Sequence, residues 1–434
     1  MLRTLLVVFA LCAPLLALYT GSPYPECKGT ENTWPLIDTP PQLIDSVTNG
    51  KRYNIQSTQN NTHIDILVVR GSAFEMGLAY GTLMRSDLND SLNGMFNYVV
   101  GQYDDWIQLV KQNLPFWLKW IPNLLSLTPA EQLAALLDIQ YALTAKFTPQ
   151  RYDDEIRGLA QGSGLDVQLI RRLNMFPEFI KASCSMAGIW GPASSTGELI
   201  QLRALDWDFK SYIGKFPLAI IYFPEEEGSN PFATFGFTGL IGAISGYSTK
   251  VAVSEKVWNP QVLDAQSYMG EPFTYLLRDI LQFGNDLKSS VGIVSETPRT
   301  CRIHGGVGSR ADNKFLGMRF GWNVLEIYDD KNYTAYTDVH PQMDGIMFWD
   351  KHEDDSNACL GQFFRDNYGK IDAEFLYKTA IPIDQTGNAQ FIVYDFGADL
   401  VYISYSDPDT ATNAYDRPRV KLDMATLLNY NSHF

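Results

Sequence analysis

Residues 182–209 read Ala-Ser-Cys-Ser-Met-Ala-Gly-Ile-Trp-Gly-Pro-Ala-Ser-Ser-Thr-Gly-Glu-Leu-Ile-Gln-Leu-Arg-Ala-Leu-Asp-Trp-Asp-Phe. Cys184 opens a short apolar strand, the stretch from Gly191 to Glu198 is rich in turn formers, and Leu199 to Leu205 is a second apolar run with one arginine in it. The pattern predicts a β-hairpin. Its return strand would bring Arg203 and Asp206 back beside Cys184, gathering a thiol, a cation and a carboxylate in one small volume.

The rest of the chain bounds what such a site can serve. Of its 434 residues, 45% are hydrophobic and 13% aromatic, which is the composition of a globular protein. With 34 Lys and Arg against 49 Asp and Glu, the net charge is −15 and no basic run occurs. Holding a phosphate backbone needs clustered cations, so nucleic acid is not an expected partner.

Residues 1–21 carry one basic residue, a compact apolar stretch and small residues near Ala17 and Gly21. They read as a secretory signal peptide, with an uncleaved anchor as the other reading of a segment too short for a stable span. The mature protein is expected to be soluble and either secreted or lysosomal. Acceptor sequons begin at Asn60, Asn89 and Asn332. Loss of the signal removes Cys12 and leaves Cys27, Cys184, Cys301 and Cys359, which an oxidising compartment can pair. On spacing alone, Cys301 with Cys359 is an open pairing.

Before the hairpin, Tyr24 to Asn60 reads as an extended leader over the surface and Ile64 to Val69 as a strand. Gly77 and Gly81 lie one turn apart in a helical stretch, where close helix packing is the preferred reading. Leu83 to Leu173 has mainly helical periodicity, interrupted by Pro115, Pro122 and Pro129. A tryptophan-rich piece around Trp106, Trp117 and Trp120 reads first as core packing and second as a lipid-facing surface.

After Cys184, strand-like runs dominate: Leu199–Leu205, Leu218–Phe223, Ala233–Phe237, Lys250–Val253, Leu325–Tyr328, Tyr333–Thr337, Gln390–Tyr394 and Leu400–Tyr405. Two helical patches, Pro272–Phe283 and Ala373–Lys378, suggest helices laid on sheets. The glycine-dense stretch from Gly239 to Gly246 reads as a tight hairpin whose backbone approaches a ligand.

These residues resemble the acid ceramidase and cholylglycine hydrolase group of N-terminal-nucleophile hydrolases, together with its penicillin acyltransferase (peptidase C45-like) branch. The centre of the resemblance is Cys184-Ser185 followed by Leu199 to Trp207, with its Arg203 and Asp206. Gly71, Glu75, Met76, Gly77 and Gly81 resemble the acyltransferase branch's opening signature, Glu155 to Ala160 its second helix, and Gly239 to Gly246 an acid ceramidase hairpin. The resemblance implies an α+β fold, the αββα sandwich of two antiparallel sheets between helical layers, with an N-terminal helical region. It also implies self-cleavage at the Ser183–Cys184 bond. The expected organisation is residues 1–21 signal peptide, 22–183 helical α-subunit and 184–434 β-subunit with the catalytic core.

In that scheme the freed α-amino group of Cys184, with an ordinary pKa near 7.7–8.0, takes the proton of its own thiol. Arg203 favours the thiolate and Asp206 holds the ammonium. The family's oxyanion asparagine falls at Asp338, which as a carboxylate accepts hydrogen bonds and cannot donate one. Either Asp338 is protonated, or His340 or a backbone N–H replaces it, or the chemistry differs. Ser254 stands where relatives carry a second asparagine, and Lys351 falls near a family arginine. The resemblance further implies a Cys27–Cys359 disulfide joining the two chains.

The expected reaction is hydrolysis of N-acyl amides, with ceramide-like lipids as the leading substrate and peripheral contact with lipid surfaces. Acyl transfer or hydrolysis on small N-acyl compounds is the alternative. A catalytically inactive, glycosylated lipid-binding protein on the same scaffold is the second alternative. No cofactor is expected. The histidines His63, His304, His340, His352 and His433 are scattered without metal-ligand spacing, so no metal is expected either.

Overall fold

The computed structural model describes residues 27–101, 127–178, 183–208, 212–257, 269–300, 302–333, 342–351 and 358–434. Sixteen strands among them form two sheets. Before the cysteine come β1 (Gln42–Val47), β2 (Gly50–Ser57) and β3 (Thr62–Gly71). The predicted hairpin is β4 (Ser183–Ile189) and β5 (Ile200–Asp206). There follow β6 (Pro217–Pro224), β7 (Phe232–Phe237), β8 (Ser245–Ser248), β9 (Val251–Val257), β10 (Ile303–Ser309), β11 (Lys314–Gly321) and β12 (Val324–Tyr328). The last are β13 (Ile346–Trp349), β14 (Gln390–Asp395), β15 (Leu400–Tyr405) and β16 (Val420–Asp423).

The larger sheet runs β1-β2-β3-β6-β7-β8-β9-β10-β11-β12 and the smaller β13-β4-β5-β14-β15-β16. Every named pairing is antiparallel except β3 with β6. Side chains alternate across a strand, and in the smaller sheet this period of two divides the core. Cys184, Met186, Leu205, Ile392 and Tyr394 turn inward into the main core against the larger sheet. Ala187, Ile189, Leu202, Ala204, Phe391 and Val393 turn outward into a second core with Leu360, Phe364, Leu376 and Ile381. On the far side of the larger sheet lie helices from both halves of the chain. The layers are therefore helix, sheet, sheet, helix: the αββα sandwich.

Helices α1 (Ala73–Leu83), α2 (Arg85–Gly101), α3 (Pro129–Thr144), α4 (Gln150–Ser163) and α5 (Val167–Met175) precede the cysteine. Proline at 129 starts α3 rather than breaking it, because its missing N–H costs nothing at a first helical position and Thr128 with Glu131 forms a capping box. The tryptophan-rich piece lies outside the described residues.

The glycine motifs are packing devices. A methyl on Gly77 would lie 2.0 Å from the Glu155 carbonyl oxygen, and one on Gly158 would lie 2.1 Å from that of Phe74. Gly81 and Gly162 repeat the arrangement one turn on, so α1 and α4 meet backbone to backbone. Glu75 belongs to the signature as a cap, accepting from the Ser72 N–H at 2.8 Å.

One expectation is corrected. Residues 42–57 are not a loose leader; they form the β1–β2 hairpin that extends the larger sheet through β3. The stretch from Thr238 to Ile244 joins β7 to β8, and its backbone is held by protein side chains. Tyr80 accepts from the Gly239 N–H at 2.5 Å, Ser91 donates to the Thr238 carbonyl at 2.7 Å, Asn174 bonds Gly239 and Ile241, and Arg278 donates to the Ile241 carbonyl at 2.7 Å. Three of those four side chains precede Cys184. Of the run Tyr333–Thr337, Tyr333 follows β12 outside any strand, and the remainder lies outside the described residues.

Helices α6 (Phe273–Phe283) and α7 (Leu287–Glu296) back the larger sheet. The first matches the patch read from sequence, and its Arg278 forms a buried ion pair with Glu155 of α4 at 2.6 Å. The patch at Ala373–Lys378 opens a short helical segment that continues to Asp384.

Candidate active site around Cys184

The hairpin register sets the site. Ser183 pairs with Asp206, Cys184 with Leu205 and Met186 with Arg203. Cys184 is not disulfide-bonded and its side chain is buried. Arg203 Nη2 lies 3.8 Å from its Sγ.

The same guanidinium has further partners. Nη2 donates to Glu255 Oε2 at 3.1 Å, Nε to the Glu255 carbonyl at 3.4 Å, and Nη1 to Gln390 Oε1 at 3.0 Å. Arg203 is wholly buried and the Glu255 side chain nearly so. This shared charge changes the expectation for the thiol. In the continuous chain, burial and then Glu255 push the Cys184 thiol up to about 12, outweighing the opposite pull of Arg203 and Lys256. Before any cut, Arg203 alone does not make a thiolate.

Asp206 is held by the loop after residue 384. Its Oδ2 accepts from Thr386 Oγ1 at 2.8 Å, and its Oδ1 accepts from the backbone N–H groups of Gly387 and Asn388 at 3.0 and 3.3 Å. Asn388 Oδ1 accepts from the Trp207 N–H at 2.8 Å, fixing the end of β5 to the same loop. Lys351 Nζ stands 3.8 Å from Asp206 Oδ1 and donates to the Gln385 carbonyl at 2.6 Å. Ser254 lies further along the inter-sheet space, its hydroxyl accepting from Gln201 Nε2 at 2.8 Å.

The structure thus brings together Cys184, Arg203, Asp206 and Lys351. Asp338 and His340 lie outside the described residues, as do the side chain of Ser183, the segment before it and residues 1–21. Cys27 and Cys359 are joined, with Cα atoms 5.1 Å apart, which takes Cys359 out of the alternative pairing with Cys301. Asn89 and Asn332 are exposed and Asn60 is half-buried.

Sequence reasoning did not find Glu255, Gln390, Thr386 or Asn388. The one available signal was a polar residue in an apolar run: Gln390 heads a strand otherwise read as core, and Glu255 follows Val-Ala-Val-Ser.

Asp384 gives the site a pH dependence. Burial, opposed by Lys351 and reinforced by Asp350 and Asp206, pushes its carboxyl up to about 7. A carboxyl whose pKa is raised on folding stabilises the fold fully below its unfolded pKa, near 4, and loses that contribution as pH rises through about 7. Asp384→Asn, fixed in the neutral form, is expected to unfold at a higher temperature than wild type at pH 8. The difference should shrink toward zero at pH 4, as measured by thermal unfolding of both chains across that range.

Fold and site together define an αββα sandwich protein with a cysteine near the start of an inner strand. No family model matches the chain. It is 31% identical over 444 residues to Protein dcd1A of Dictyostelium discoideum, covering 98% of each. To Protein dcd1B of the same organism it is 33% identical over 376 residues, covering 86% of this chain and 73% of that one. The chain belongs to the family of dcd1A and dcd1B. Among solved structures, the N-acylethanolamine-hydrolyzing acid amidase ortholog of Caenorhabditis elegans aligns with a TM-score of 0.38 and 15% identity, over 55% of this chain and all of that one.

Proposed function

We propose that this protein is a self-processing cysteine amidohydrolase of the N-terminal-nucleophile kind. Its precursor cuts the Ser183–Cys184 bond, and its substrates are N-acyl amides, with ceramide-like N-acyl lipids first among them. The observation that carries this reading is the hairpin register, which puts Asp206 across from Ser183 and the Arg203 guanidinium 3.8 Å from the Cys184 sulfur. After the cut, the new α-amino group takes the thiol proton, giving a thiolate and an ammonium at one residue. Asp206, already fixed by three hydrogen bonds, receives the ammonium. The thiolate attacks the amide carbon, the amine leaves with the proton, and water hydrolyses the thioester to free acid and regenerated thiol. Oxyanion donation falls to Asp338 in protonated form, to His340, or to a backbone N–H; Ser254 and Lys351 are further candidates on that side.

The same reading places the protein in the secretory pathway, secreted or lysosomal, with glycans at Asn60, Asn89 and Asn332. The α- and β-chains remain joined by Cys27–Cys359. The testing experiment incubates the purified protein with N-acyl sphingosines, N-acyl ethanolamines and short N-acyl amino acids, and measures released acid. Release from the sphingosine amides is the expected result. Release only from the short N-acyl amino acids would favour a small-amide hydrolase, and no release from any would favour the inactive lipid-binding scaffold.

A further inference from the structure

A directed line of hydrogen bonds ends on Asp206. Thr386 Oγ1 donates to Asp206 Oδ2 at 2.8 Å. A hydroxyl has one proton, so toward Ser185 Oγ, also 2.8 Å away, Thr386 can only accept, and Ser185 is the donor there. Ser185 Oγ in turn accepts from the backbone N–H of Lys351 at 3.0 Å. The order is therefore Lys351 N–H to Ser185, Ser185 to Thr386, and Thr386 to the carboxylate. Ser185 and Thr386 are fully buried and Asp206 nearly so, which shields the line from water and strengthens each bond.

Ser185 is the residue after the nucleophile, and Asp206 is paired with the residue before it. The line thus ties both flanks of Cys184 to one loop. Its geometry points to a role that rests on the proposed amidohydrolase reading. We propose that Thr386 is a positioning residue of the cut enzyme, its hydroxyl fixing Asp206 as the oriented acceptor of the Cys184 α-ammonium. In this role Thr386 acts through Asp206. Lys351, whose Nζ bonds the Gln385 carbonyl, holds the same loop from the other side.

The test compares the pH profiles of kcat/KM for processed wild type, Thr386→Val and Thr386→Ser on the best amide substrate. Valine keeps the shape and removes the donor. It is expected to lower kcat/KM by about tenfold, the effect of one charge-assisted hydrogen bond. It should also move the acid limb toward higher pH, because a carboxylate with one donor fewer holds the ammonium proton more firmly. Serine should restore both. Ser185→Ala, which removes the upstream donor without touching Asp206, should shift the limb in the same direction by less, and it serves as the second probe if the valine chain does not fold. An unshifted limb in a folded valine or alanine chain, or a serine chain as slow as valine, overturns the inference while leaving the amidohydrolase reading intact. A wild type that hydrolyses no amide overturns both.

Discussion

Cys184→Ala is expected to remain one full-length chain on a denaturing gel under reducing conditions, after an incubation at acid pH that is expected to divide wild type in two. The variant should also release no acid from any amide above background. The argument is chemical: alanine has neither a sulfur to attack the preceding carbonyl nor one to attack a substrate, and among the described residues the remaining cysteines, Cys27 and Cys359, are joined to each other. The disulfide supplies an internal control. Cys27 lies before the cut and Cys359 after it, so cut wild type should still run as one species without reductant. Reduction alone should not pull the native halves apart. Strand β3, from before the proposed cut, pairs through Asp65 to Gly71 with β6, from after it, and Tyr80, Ser91 and Asn174 clamp the loop between β7 and β8. Full-length wild type under every incubation condition would sink self-processing.

Arg203→Met is expected to lose about 3–5 kcal/mol of folding stability, the usual cost of removing one partner from a buried ion pair. Methionine fills much of the volume but leaves the Glu255 carboxylate facing an apolar chain and the Gln390 oxygen without its guanidinium donor. The loss is therefore mainly electrostatic. Adding Glu255→Gln to the same chain should recover part of it, because a neutral amide is far cheaper to bury than a carboxylate that has lost its arginine. Chemical denaturation of wild type, both single variants and the double variant gives the coupling directly. Independent, additive losses would show that the 3.1 Å contact is not a working pair.

Much of the architecture was legible where the signal is local. The hairpin of β4 and β5 closes over the turn-rich stretch from Trp190 to Leu199, so alternation and turn composition suffice to pair it and bring Arg203 and Asp206 toward Cys184. Leu400–Tyr405 was found with its observed limits, and others, such as Gln390–Tyr394, to within a residue. Strands β10 and β11 were missed because glycines dilute their alternation. Those glycines are there for packing: a methyl on Gly306 would lie 2.4 Å from Phe315 and 2.7 Å from Met186, where the two sheets press together. The β1–β2 hairpin was missed because an edge hairpin with one mostly exposed strand carries too little apolar pattern to announce itself.

What the sequence determined by itself was the hairpin, the nucleophile candidate with its cation and carboxylate, and Gly77 with Gly81 as a close-packing pair within one helix. Each of these is written within a single hairpin or a single helix, where strand and helix periods convert spacing directly into structure. Only the tertiary structure decided which partners complete the site. Glu255 lies 52 residues from Arg203 in the chain and Gln390 187 residues away, while Thr386 reaches Asp206 across 180. Those contacts exist because the two sheets stack and the loop after Asp384 folds back on the end of β5. No local period encodes such a closure. It follows from burying the inner faces of both sheets together, which left Arg203 needing a carboxylate and Asp206 needing donors wherever the chain could bring them.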